Sequence, residues 1–233
     1  SRVAADSDAV AVVADDGTAL TYGQFDARVN ALAQILVDRG VRVGGRVAIV
    51  MTRTVDSVVA LTAVIRAGAA YVPIDPGYPA ERVRHILDVA APALVITDRD
   101  IADVHQHPVP ALRIDDHDLQ QQLSLGQEAA PVLSRPLDGL DAAVVIFTSG
   151  TTGVPKGVIL THRALSGRLT WGHRVLGYTS GSVALSKSGV GFFVDAVTEL
   201  FGPLAAGARV VVVAAETAQD PAGLLGVIGR HRV

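Results

Sequence analysis

The stretch Ile146-Phe147-Thr148-Ser149-Gly150-Thr151-Thr152-Gly153-Val154-Pro155-Lys156-Gly157-Val158 holds two Ser/Thr pairs, three glycines and one lysine within residues 148–157. It stands directly behind an apolar run that reads as a buried strand. Hydroxyls, bare backbone amides and one mobile cation at a strand end make a receptor for phosphate. Glycine lets the backbone approach an anion with no side chain between them, and it reaches φ > 0 at little cost. A polar surface turn has a similar composition, and short motifs also match by chance. The apolar lead-in Ala142–Phe147, the proline before Lys156 and the Val158-Ile159-Leu160 exit favour the phosphate loop.

Spacing excludes the Walker pattern, which needs glycine five residues after its first glycine, then Lys and Ser/Thr. Counting from Gly150, that position is Pro155, and Lys156 is followed by Gly157. The dinucleotide fingerprint is excluded too, since no G-x-G-x-x-G opens a helix here.

Working outward, the 233 residues suffice for one large or two small domains with a substantial core. Hydrophobic residues make up 49% and charged ones 18%, a globular composition. A net charge of −3 gives no reason to expect a nucleic-acid partner. With no cysteine there is no disulfide frame, thiolate nucleophile or cysteine zinc site, which fits a reducing compartment. The first residues lack a signal-peptide core, and no stretch approaches the ~18 uncharged apolar residues of a membrane span. A soluble, cytoplasmic protein with no membrane partner is the expectation.

Helix-like and strand-like segments alternate, which predicts an α/β fold of layered sheets flanked by helices. Val10–Val13 and Ala19–Tyr22 read as a hairpin, and Thr21 as the cap of a helix over 23–39 that Gly40 ends. Strands are predicted at Arg46–Met51, Ala70–Ile74, Leu94–Thr97 and Leu112–Ile114. Helices are predicted at Val55–Ala67, stopped by Gly68, and at Ala80–Val89, started by Pro79. From His117 to Asp138 periodicity is lost, which predicts an exposed connection to the core strand Ala143–Thr148. Beyond the loop, Thr161 caps a helix to about Val175. A strand at Val183–Leu185, a helix near Asp195–Leu204, a strand at Arg209–Val213 and a helix at Pro221–His231 follow.

Thr148–Gly157 resembles the phosphate loop of the adenylate-forming enzymes, which include nonribosomal peptide synthetase adenylation domains, acyl-CoA ligases and luciferases. Leu20-Thr21-Tyr22, followed by a helix, resembles the first core motif of the peptide synthetase branch. Ile65-Arg66-Ala67-Gly68-Ala69-Ala70-Tyr71-Val72-Pro73-Ile74-Asp75-Pro76, with Tyr78-Pro79 and Glu81-Arg82 behind it, is similar to that branch's second motif. The likeness covers nearly the whole chain. It implies that residues 1–233 are part of the large N-terminal AMP-binding domain of such an enzyme.

The resemblance implies a two-step reaction. A carboxylate attacks the α-phosphorus of ATP, with Mg2+ as cofactor, to give an acyl-adenylate and pyrophosphate. The acyl group then passes to a thiol, in this branch the phosphopantetheine arm of a carrier protein. Positioning and charge stabilisation dominate such chemistry. The resemblance assigns the hydroxyls of Thr148, Ser149, Thr151 and Thr152 and the amides of Gly150 and Gly153 to the β- and γ-phosphates. Lys156, the candidate catalytic residue, neutralises the departing pyrophosphate.

Two departures follow. The family's later motifs are missing: an aromatic-Gly-x-Thr-Glu segment that helps hold magnesium, a ribose-binding aspartate, and the lysine of a small C-terminal domain. The chain is therefore expected to be part of a longer polypeptide and inactive alone. In addition, the family's Phe-Asp-x-Ser-x-Trp-Glu segment corresponds to Gly191–Phe201. Alignment puts Val194 or Phe193 at the aspartate that pairs with the substrate ammonium, and the acid stands at Asp195 instead. A buried ammonium without its counter-charge costs several kcal/mol. The expected substrate is thus a β-amino, hydroxy or aryl acid, contacted by Phe193, Val194 and Asp195, unless Asp195 only caps the following helix.

Acyl- or aryl-CoA ligase and a non-catalytic nucleotide- or partner-binding fragment are the alternatives. His105, His107 and His117 lie near Asp115, Asp116 and Asp118 in loop-like sequence, and solvated surface is preferred to a metal site. His162 is expected to cap or pack, Asp75 and Tyr71 to build a turn, and Trp171 to lie in the core.

Overall fold

The computed structural model describes residues 6–99, 101, 104, 107–148, 155–188 and 196–233. Its contacts divide them into two compact units. One comprises Ala27–Met51 and Val59–Ala164, and the other the described parts of Ser1–Asp26, Thr52–Val58 and Leu165–Val233.

The first unit is built on strands β3 (Arg46–Val50), β4 (Ala70–Ile74), β5 (Leu94–Thr97), β6 (Ala111–Arg113), β7 (Ala142–Thr148) and β8 (Lys156–Thr161). Their order in the sheet is β6-β5-β3-β4-β7-β8. All pairs are parallel except β7–β8. β4 and β5 are buried throughout, as the unbroken apolar runs of a two-sided parallel strand require. Helix α3 (Ala80–Ala90) turns Val83, Ile86, Leu87 and Ala90 onto Ala48, Val50, Val72, Ile74 and Val95 of the sheet. Burying valine, isoleucine and leucine side chains in this way contributes about 1.5–3 kcal/mol each.

The second unit has the sheet β2-β1-β10-β9, formed by β1 (Val10–Ala14), β2 (Ala19–Thr21), β9 (Val183–Ser186) and β10 (Arg209–Val212). β10 lies parallel to both β1 and β9, and β2 returns antiparallel to β1. Val13, Val211, Val213 and Val227 form one cluster of its core; Val227 comes from helix α8 (Pro221–His231), which Asp220 caps through the amides of Ala222 and Gly223.

Helix boundaries follow local chemistry. Thr21 and Gln24 form a reciprocal capping box at the start of α1 (Tyr22–Asp38), each accepting from the other's amide at 2.9–3.2 Å. Helix α2 (Val55–Arg66) stops where Gly68 takes φ +77° and the amides of Gly68 and Ala69 bond back to Ile65 and Val64.

Two sequence expectations need correction, at 117–138 and at Trp171. The 117–138 segment is not wholly an exposed connection, because α4 (His117–Leu125) occupies its first part. Asp116 caps that helix by accepting from the amides of Asp118 and Leu119, and Leu119 and Leu123 are buried. The polar Gln120-Gln121-Gln122 run hides a two-leucine apolar face. Just beyond it, buried Asn30 donates to the carbonyls of Gln127 and Glu128 and accepts from Arg66 at 2.5 Å. Trp171 is 46% exposed on α5 (His162–Leu176), with the Arg168 guanidinium 4.0 Å above its ring, so it is not core. The helix expected near 195–204 is present among the described residues, as a π-helical turn, Ala196–Phe201, that runs into the short α6 (Gly202–Ala206). A further short helix, α7 (Ala215–Gln219), carries no apolar periodicity and has no buried residue.

Just ahead of β7, the Asp141 carboxylate accepts from Arg135 at 2.6 and 2.8 Å and from the Asp138 amide at 2.8 Å. Arg135 first, then that amide, lowers its pKa to about 2. A carboxylate depressed in the fold stabilises it above the ordinary range of ~3.9 and loses that contribution as pH falls further. NMR titration should find the Asp141 midpoint near about 2. In Arg135→Ala it should rise toward the ordinary carboxylate value.

Candidate functional site

Parallel strands in one sheet deliver their carboxyl ends to the same edge, where α/β proteins bind ligands. In the first unit that edge gathers Asp75 after β4, Thr97 and Asp98 at the end of β5, and Thr148 at the end of β7. β7 then turns back into β8, and the antiparallel register pairs Thr148 with Lys156. The two described ends of the glycine-rich loop, a hydroxyl residue and an ammonium residue, therefore sit opposite each other at its mouth. Ser149, Gly150, Thr151, Thr152 and Gly153 lie outside the described residues.

The hairpin is specified by packing beneath the loop. Phe147 packs on the β3–β4–β5 core, and its partner across the ladder is Gly157. A Cβ on Gly157 would stand 3.3 Å from Phe147 Cζ and 3.3 Å from Val145 Cγ1. This glycine makes room for an aromatic ring, a role separate from any anion binding. His85 of α3 holds the loop's outgoing end, with Nε2 3.1 Å from the Pro155 carbonyl. A carbonyl only accepts, so Nε2 carries the proton. Sequence reading missed His85 because its partner lies seventy residues away.

Next to the loop, Thr161 caps α5 by accepting from the Ala164 amide at 3.2 Å, as expected. The His162 amide donates to the Asp141 carbonyl. Burial lowers the His162 pKa, opposed by the charge of Asp141, and Nε2 is buried without a hydrogen-bond partner. Its ring is held neutral, in keeping with packing. Asp75 accepts from the Gly77 amide at 2.8 Å in an Asx turn, and Tyr71 is fully buried, where desolvation pushes its hydroxyl well above the ordinary range. His107 pairs with Asp88 at 3.2 Å. Among the described residues, no three His, Asp or Glu side chains gather as metal ligands, so no Mg2+ ligand set is assigned. No helix there is long and apolar enough to cross a membrane.

In the second unit, Tyr22 of the Leu20-Thr21-Tyr22 motif directs its hydroxyl at the carbonyls of Leu204 and Ala208, at 3.1 and 2.8 Å. It satisfies the C-terminal end of α6, where Gly207 takes φ +83°. Phe193, Val194 and Asp195 lie outside the described residues.

Two α/β units, one with Thr148 and Lys156 paired at the carboxyl edge of its mainly parallel sheet, define the class of fold. The chain belongs to the AMP-binding enzyme family, whose model matches residues 1–233. It is 36% identical over 227 residues to the PKS-NRPS hybrid synthetase acdB of Aspergillus candidus, covering 97% of this chain and 9% of that protein. It is also 36% identical over 228 residues to the beta-alanyl-bioamine nonribosomal peptide synthetase ebony of Drosophila melanogaster, covering 91% of this chain and 25% of ebony. Among solved structures, the nonribosomal peptide synthetase FmoA3 bound to α-methyl-L-serine-AMP superposes with a TM-score of 0.84 at 31% identity, covering all of this chain and 25% of FmoA3. The chain thus spans a quarter or less of each of these relatives.

Replacing Gly157 by valine should displace Phe147 and destabilise the protein by about 1–3 kcal/mol, the usual penalty of overpacking. Chemical denaturation measures the loss; an unchanged midpoint would show that the ring does not depend on this space.

Proposed function

We propose that residues 1–233 form part of the N-terminal adenylation domain of a peptide synthetase, and that the whole protein activates an acid with ATP. The observation that carries this reading is the β7–β8 register, with Thr148 and Lys156 facing each other at the carboxyl edge of a parallel sheet. Hydroxyls and amides of Thr148, Ser149, Gly150, Thr151, Thr152 and Gly153 hold the β- and γ-phosphates. The Lys156 ammonium offsets the charge that builds on pyrophosphate as the α-phosphorus–oxygen bond breaks. The substrate carboxylate oxygen forms the new bond to that phosphorus, giving acyl-adenylate and pyrophosphate. Mg2+, when bound with ATP, supplies further charge neutralisation of the phosphates.

In the second step the acyl carbon is attacked by the phosphopantetheine thiol of a carrier protein, and AMP leaves. The names of ebony and FmoA3 support a peptide synthetase over a CoA ligase. For the acid we infer a substrate other than an ordinary α-amino acid. Val194 or Phe193 stands where the family has its ammonium-binding aspartate, and Asp195 carries the charge one or two positions on. A β-amino acid, whose amine lies one carbon further from the carboxylate, fits a displaced aspartate best. The beta-alanyl specificity in the name of ebony, 36% identical, supports that choice.

Lys156→Ala should lower acid-dependent ATP–pyrophosphate exchange by about 10²–10³-fold, the range seen when one preorganised charge or donor is removed. A change below about threefold would exclude a role in the transition state. Asp195→Ala should raise the KM for β-amino acids while leaving that for ATP near wild type. Preference of the wild type for an ordinary α-amino acid would sink the displaced-amine reading.

A further inference from the structure

Lys156 is the first residue of β8, and the peptide bond that leads into it carries the Pro155 carbonyl. That carbonyl accepts from His85 Nε2 at 3.1 Å, within the ordinary range of an N–H···O bond. A peptide unit is planar, so a bond that fixes its oxygen also fixes the amide of Lys156 on the opposite edge. Proline leaves the chain little else to vary at this point, because its ring holds φ near about −65° and only ψ stays soft. His85 acts on that one remaining torsion.

Donor and acceptor rest on the same packed layer. His85 is half-buried on α3, whose Val83, Ile86 and Leu87 share a core with Val145 of β7. Phe147, across the ladder from Gly157, packs on that cluster. So does Tyr78, over whose ring the Arg82 guanidinium stacks at 4.1 Å. A helix anchored in this way presents its ring nitrogen with little freedom. Lys156 is therefore held from two directions, by its ladder pairing with Thr148 and by the peptide plane behind it. A lysine ammonium is a point charge on a flexible stem, and the direction in which the stem leaves the backbone limits where the charge can go.

We propose that His85 is a positioning residue for Lys156, its Nε2–H holding the Pro155–Lys156 peptide plane so that the ammonium meets the charge developing on the leaving pyrophosphate. This rests on the reading above that Lys156 offsets that charge. The contact touches neither the acid nor its pocket, so its loss should fall on turnover rather than on acid binding.

The test follows acid-dependent ATP–pyrophosphate exchange in the protein expressed from its natural reading frame. His85→Phe keeps a ring and removes the donor, whereas His85→Gln supplies an NH2 donor of similar reach. Phe should lower kcat about tenfold, less than removal of Lys156 itself, with the KM of the acid changed less than about threefold. Gln should stay within about threefold of wild type for both constants. In a Lys156→Ala background, His85→Phe should lower kcat by less than about twofold further, since a residue that acts through Lys156 has nothing left to position.

The contact has a readout of its own. In isotope-labelled protein the His85 Nε2–H proton should give an NMR signal protected from solvent. Amide hydrogen exchange over Lys156–Val158 should accelerate in His85→Phe and return toward wild type in His85→Gln. An unprotected Nε2 proton, or unchanged amide exchange in His85→Phe, would overturn the hold on the strand start. An equal loss of kcat with and without Lys156, no rescue by Gln, or a lower melting temperature with unchanged kcat would overturn the positioning role. A wild-type protein with no acid-dependent exchange would remove the adenylation reading and the positioning role with it, while the Nε2–H signal and amide exchange would still show whether the contact holds β8.

Discussion

Backbone pairing of β8 against β7 is the constraint on which the carboxyl edge of the first unit's sheet depends. Five strands of that sheet run parallel, and each needs a long crossover before the next. β7 is instead followed by an antiparallel partner, β8, which brings Thr148 and Lys156 face to face at the carboxyl edge. The register that pairs Thr148 with Lys156 follows from side-chain fit lower in the ladder, where Phe147 needs the empty position at Gly157. A one-residue slip would reverse which face each side chain occupies, and the ring would leave the core.

The second unit shows the same division of labour between packing and polar contacts. Long-range hydrogen bonds add specificity to its apolar core. Tyr22 satisfies the end of α6, Thr217 donates to Asp15 at 3.0 Å, and Arg209 donates to the carbonyl of His231 at 2.7 Å. Each uses a buried or half-buried polar group that would be costly to leave unpaired. Such contacts stabilise modestly but exclude alternatives strongly, because any other arrangement strands a donor or acceptor. Glu199, which accepts from the amides of Lys187 and Ser188 and from the Ser188 hydroxyl, belongs to this set.

Much of the fold was legible in the sequence because the signals were local. Unbroken apolar runs predicted β4 and β5, Gly40 and Gly68 marked helix ends, and Thr21 and Thr161 marked helix starts. The α4 helix was not legible, since its apolar face amounts to Leu119 and Leu123 within a glutamine run. Trp171 misled because large aromatics are usually buried; here Arg168 stacks over the ring and solvent takes the rest. The π-helical turn has no local signature, as one extra residue per turn changes hydrogen bonding and not composition.

The sequence by itself determined the class of chemistry: a strand, a glycine- and hydroxyl-rich loop and one lysine, with two ordered motifs upstream. It also determined where the family pattern breaks, at Phe193–Asp195. Only the tertiary structure decided which residues support those groups. His85 reaches Pro155 across seventy positions, Asn30 gathers Arg66, Gln127 and Glu128, and Glu199 closes on Lys187 and Ser188. Chemistry is written in residue types at short spacing. Support is written in distances between residues far apart along the chain, which exist only once strand order and register have been set.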